Sequence, residues 1–103
     1  MKDQFYIIST TLPNIEVAKS ISNTLISNKL AMCINIKEIN SIYLWEGKIE
    51  DSKEFSLSIK TSTTKLEKAK KLILSLHPYK VPALYAIEAT SLNRDFYEWI
   101  ESK

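Results

Sequence analysis

The sequence holds one thiolate candidate and one imidazole as metal ligands, Cys33 and His77. A thiolate is the donor Cu(I) prefers, and a neutral imidazole suits copper or zinc. One cysteine and one histidine cannot close a four-coordinate zinc site. A metal held by them needs carboxylates such as Glu46 or Glu88, water, or ligands from another copy of the chain. Each residue also has a plainer use. A lone cysteine commonly serves as a small buried hydrophobe, and His77 stands just before Pro78, at a helix end where a protonated ring would meet the negative end of the dipole. Tyr43, Trp45 and Tyr79 can wall a pocket, although aromatics at the base of a hairpin more often form an interface core. Lys60, with Glu46 or Glu88, suits an intersubunit ion pair, a small anion in a cleft, or an ordinary structural salt bridge. Nucleophilic catalysis by Cys33 would need His77 as its base, and no pair of carboxylates is singled out by spacing. The expectation is a protein that is not an enzyme and has no catalytic residue.

The bulk properties narrow the classes further. A chain of 103 residues, 45% hydrophobic and 25% charged, has the composition of one ordinary globular domain spanning residues 1–103. Gly47 is the only glycine, so neither a dinucleotide-binding Gly-rich turn nor a Walker-type phosphate loop can be built, and no nucleotide or organic cofactor is expected. The net charge of +2 is small, and the cluster Lys68, Lys70, Lys71 reads as a solvated helix face, so no nucleic-acid partner is expected. Apolar runs such as Phe5 to Ile8 are too short to span a bilayer, and the start Met1-Lys2-Asp3-Gln4 lacks an apolar signal core. A cytoplasmic or otherwise reducing location is therefore the expectation, and the single Cys33 cannot form an intrachain disulfide, so packing must hold the domain together.

The elements that must position these residues follow from hydrophobic period and punctuation. Phe5 to Thr11 reads as a strand closed by Pro13. Asn14 caps a helix with Glu16 in its first turn, a stripe of Val17, Ala18, Ile21 and Leu25, and an end near Asn28. Cys33 to Trp45 is a strand. Its first half alternates Ile34 and Ile36 against Cys33 and Asn35, so Cys33 should point away from the helices. Its second half, Ile42 to Trp45, is apolar on both faces and should be covered on both. Glu46-Gly47 makes the hairpin turn. The return strand, Lys48 to Ser62, alternates Phe55, Leu57 and Ile59 against Ser56, Ser58 and Lys60, with a kink or bulge expected over Glu50 to Lys53. Thr64 and Glu67 have capping-box spacing for a second helix carrying Leu66, Ala69, Ile73 and Leu76 inward, stopped by Pro78. Ala83 to Thr90 is a fourth strand, and Asn93 caps a terminal helix through Phe96, Trp99 and Ile100.

This order predicts an α+β, ferredoxin-like βαββαβ sandwich with an antiparallel sheet and an added C-terminal helix. Two helices then cover one sheet face and leave the other without cover from its own chain. For a domain of this size such a face predicts self-association.

Four segments carry a resemblance. Ala31-Met32-Cys33-Ile34-Asn35-Ile36, Ser41 to Ile49, Ser58-Ile59-Lys60-Thr61 and His77-Pro78-Tyr79-Lys80-Val81-Pro82 together resemble the CutA divalent-cation-tolerance family, over nearly the whole chain and in the right order. The resemblance implies a homotrimer with sheets facing inward, much like the PII signalling proteins, and a long hairpin reaching to the neighbouring subunit. It also implies a role in tolerance of divalent cations, copper above all, with Cys33 and His77 as the metal-ligating positions to examine. Some members have a cysteine where this chain has Ser9, paired histidines where it has Leu76-His77, and a glutamate where it has Lys80. A PII-like module taking a small molecule or a protein partner in intersubunit clefts, without a physiological metal, is the alternative.

Overall fold

The computed structural model describes residues 3–102. Strand β1 (Gln4–Leu12) leads into helix α1 (Ile15–Ser27), and β2 (Cys33–Trp45) and β3 (Lys48–Thr61) form a hairpin. Helix α2 (Leu66–Leu76), β4 (Leu84–Thr90) and α3 (Arg94–Glu101) complete the chain. The sheet order is β2-β3-β1-β4 with every neighbouring pair antiparallel. This is the ferredoxin-like arrangement expected from the order of elements.

Strand parity sorts the side chains. Ile8, Thr10 and Leu12 of β1, opposite Ile59, Leu57 and Phe55 of β3, face the helices. Ile8, Leu12, Leu57 and Ile59 pack with Ala18, Ile21 and Leu25 of α1 and Ala69 and Ile73 of α2 into one buried cluster, and Phe55 packs against it. Asn14 accepts the Val17 N–H at 2.8 Å, the cap that the sequence predicts. The opposite face carries Ile7, Ser9, Ser58, Lys60, Cys33 and Asn35, with Tyr85 and Ile87 of β4 well exposed. α3 closes one end of it, where Phe96 meets Phe5 edge-on at 5.7 Å.

Three expectations are corrected. The capping box does not form: residues Thr63–Lys65 make a tight 3-10 turn, the helix begins at Leu66, and Ser62 Oγ lies 3.2 Å from Thr64 Oγ1. That start puts Glu67 one position too early for a box, and it pairs with Lys70 at 2.6 Å instead. No bulge interrupts Glu50 to Lys53, because the β2–β3 register runs unbroken from Cys33 opposite Lys60 to Trp45 opposite Lys48. The apolar second half of β2 is not covered on both faces by its own chain. β1 pairs with β3 only from Phe55 to Thr61, so Ile39–Trp45 and Lys48–Glu54 project as a two-stranded arm. On one face of this arm Ile42, Leu44 and Ile49 are 71%, 71% and 78% exposed.

Candidate functional site

The connection between α2 and β4 folds back toward the base of the arm, and His77 anchors it. With α2 ended at Leu76, His77 is extended and its backbone N–H bonds the Ile73 carbonyl at 2.9 Å. Its Nδ1 accepts the Tyr79 backbone N–H at 3.2 Å, and its Nε2 lies 3.0 Å from Thr10 Oγ1. The Thr10 hydroxyl donates to the Ala83 carbonyl at 2.7 Å, so it accepts from the ring, and the neutral Nε2–H tautomer satisfies all three contacts. Burial lowers the His77 pKa, outweighing the opposing effects of the Thr11 backbone and the Glu54 charge. The helix end therefore holds a neutral ring here, not the protonated one the sequence suggested.

Tyr79 follows, held over the base of the arm. Its hydroxyl donates to Glu54 Oε2 at 2.6 Å, and burial, then the bond and charge of Glu54, push the phenol pKa well up. Between this connection and the arm lies a cleft of about 560 Å3 whose walls include Tyr43, Trp45, Glu54, Tyr79, Lys80 and Val81. Three of the residues marked in the sequence, Tyr43, Trp45 and Tyr79, are thus brought together. Glu46 and Lys60 are not part of that lining. Glu46 sits at the tip of the arm in left-handed conformation, φ 50°. Lys60 lies on the open sheet face, where its ammonium donates to Asn35 Oδ1 and, at 2.9 Å, to Ser58 Oγ.

Cys33 shares that open face, opposite Lys60 in the register, as its strand parity predicts. Its thiol is half-buried and lies 4.0 Å from Asn35 Oδ1. His77 is held instead from the helix side by Thr10. Glu88 lies opposite Tyr6, whose hydroxyl donates to it at 3.3 Å, on the parity opposite to Lys60. Among the described residues no three His, Cys, Asp or Glu side chains gather closely enough to hold a metal ion. The donor set of one chain therefore does not fit a closed metal centre.

Two functional candidates escaped the sequence. Glu54 is 6% exposed, and its only local signal was sharing the parity of Ser56, Ser58 and Lys60, which reads as an open face. Its burial comes from Tyr79, 25 residues away. Thr10 looked like one more β-branched strand residue, and its relay between His77 and Ala83 is equally non-local.

The model of the CutA1 divalent ion tolerance protein family matches residues 6–103. The chain belongs to the CutA1 family. The divalent-cation tolerance protein CutA of Thermococcus kodakarensis is 39% identical over 94 residues, covering 91% of this chain and 90% of that protein. Human protein CutA is 36% identical over 91 residues, and there the match covers 51% of the longer relative. The crystal structure of CutA1 from Pyrococcus horikoshii superposes with a TM-score of 0.89 at 38% identity, covering 93% of this chain and 94% of that one. A structure described as the periplasmic divalent cation tolerance protein CutA from Archaeoglobus fulgidus gives a TM-score of 0.89 at 35% identity, with 95% of each chain covered. An Arabidopsis thaliana CutA1 relative, 35% identical over 97 residues, is described as chloroplastic. Among the described residues, no helix is long and apolar enough to cross a membrane.

Proposed function

We propose that this CutA1 protein serves divalent-cation tolerance as a homotrimeric, non-catalytic binding and signalling scaffold, PII-like in its assembly and working in the reducing cytoplasm. The observation that carries this reading is the arm: two strands with Ile42, Leu44 and Ile49 exposed on one face. Isolated hairpins are marginal in water, so an arm of this kind favours a second copy as its cover. The family resemblance supplies the number three. Sedimentation at micromolar concentration is expected to give three times the 11.8 kDa chain mass; a mass of one chain would contradict the scaffold.

Copper or another divalent ion would be met weakly. Cys33 offers a soft sulfur on the open face, and ligands from a neighbouring subunit would have to complete the set. His77 contributes less, because both ring nitrogens are already hydrogen-bonded. Copper titrated calorimetrically should therefore lose more binding in Cys33→Ser than in His77→Ala, and unchanged binding in both variants would remove these residues as ligands.

The cleft of about 560 Å3 favours a second reading, a small-molecule module. Its volume is that of ordinary ligand sites, a few hundred Å3. In a Trp99→Phe background, Trp45 emission should shift with a bound metabolite and remain unmoved by copper.

A further inference from the structure

The cleft beside the arm holds a carboxylate that no ion pair among the described residues answers. Glu54 is 6% exposed, and an ionised carboxyl group so far from water is costly unless donors or a cation meet it. Tyr79 Oη donates to Oε2 at 2.6 Å. The ion pairs among the described residues join Lys53 to Glu38, Lys70 to Glu67, and Arg94 to Asp3 and Glu98, and none reaches Glu54. His77 is close enough to feel the Glu54 charge, yet burial holds its ring toward the neutral form.

The surroundings specify what would answer it. Tyr43, Trp45 and Tyr79 line the same cleft, together with Pro78 and Val81. A divalent metal needs several oxygen, nitrogen or sulfur donors in its first shell, and no three metal-ligating side chains cluster among the described residues. An organic ammonium needs fewer: one carboxylate for its charge and aromatic surface for its partly apolar body. Lys80, exposed at the lining, repels a divalent ion more than a monovalent one, and solvent screens its charge over roughly 8 Å.

We propose that this cleft binds an organic ammonium ion, its charged head against Glu54 and its carbon body among Tyr43, Trp45 and Tyr79. The inference rests on the small-molecule reading of the cleft and names the ligand class. Calorimetric titration of the intact protein with n-pentylammonium and tetraethylammonium chlorides, and with pentanol as the neutral counterpart of the first, tests it. At least one ammonium should bind, with pentanol about tenfold weaker or undetectable, the scale set by cation–aromatic and carboxylate attraction together. Glu54→Gln should lose about tenfold in ammonium affinity with its circular dichroism and sedimentation mass unchanged. Trp45→Leu, at an exposed position that threatens the fold less, should lose severalfold.

Pentanol binding as tightly as the ammonium ions would overturn the ammonium assignment and leave the small-molecule cleft standing. Binding of none of the three, with Trp45 also silent toward metabolites, would overturn both readings. If none binds and Glu54→Gln lowers the sedimentation mass, Glu54 is answered by a second copy of the chain, and the proposal is wrong.

Discussion

Thr10 does more than fill a strand position. At 1% exposure it accepts from His77 and donates to the Ala83 carbonyl, tying the end of α2 and the start of β4 to the central strand. Thr10→Val keeps the volume and leaves two polar partners unanswered, so urea unfolding at fixed protein concentration should show a loss of about 1–3 kcal/mol. His77 makes a separate prediction through pH. Its folded pKa is lowered below its ordinary value, so the unfolded chain takes up the proton first as pH falls. The stabilising effect of the neutral ring is then fully present above the unfolded pKa, about 6.5, and is lost as pH drops through and below that value. The thermal midpoint should fall between pH 7 and 5, and His77→Gln should flatten that fall. An equal fall in the variant would assign the pH dependence elsewhere. At this scale the sequence was legible where strand parity governs, as with Cys33 on the open face opposite Lys60. It was illegible where a side chain's surroundings arrive from a distant segment, as with Glu54 beneath Tyr79.

The elements were easier to read than their joints. Hydrophobic period is readable in the strands and in α1 and α2 because these bury one face on a common core, and alternation in β2 and β3 changes sense with burial. The start of α2 was misread because two hydroxyl residues, Ser62 and Thr64, paired with each other and tightened the chain before the helix began. The arm's turn was readable for a specific reason. Glu46 and Gly47 both have positive φ, 50° and 78°, the pattern of a two-residue I′ hairpin turn. A Cβ at Gly47 would meet nothing within 4 Å, so Gly47→Ala costs backbone strain alone, about 1–2 kcal/mol. Amide exchange should accelerate across Tyr43 to Glu50 while the amides of Ile8, Leu57 and Ile59 keep their protection. Loss of protection throughout the sheet would mean that the arm and the core unfold as one unit.

For the whole molecule the question is what covers the arm and the open sheet face. The chain extends 47 Å along one axis and 24 and 21 Å along the others, a shape that exposes more apolar surface than a compact domain needs to. Tyr85 and Ile87 on the open face, 58% and 57% exposed, lie on the same molecule as Ile42, Leu44 and Ile49, so burial of both areas by identical neighbours would serve each copy twice. Placing a charged pair on the arm can separate this from simple hairpin stability. Leu44 stands opposite Ile49 across the hairpin, so the double substitution Leu44→Glu with Ile49→Lys replaces an apolar cross-strand pair by an oppositely charged one, which retains about 0.2–1 kcal/mol of pairing. The hairpin should survive while its outward face becomes unsuitable for burial against another copy. The expected result is a folded protein by circular dichroism whose sedimentation mass falls from that of the proposed trimer toward the single 11.8 kDa chain. A mass unchanged from the parent would locate the assembling surface on Tyr85, Ile87 and the open sheet face instead, and would leave the arm free for the cleft alone.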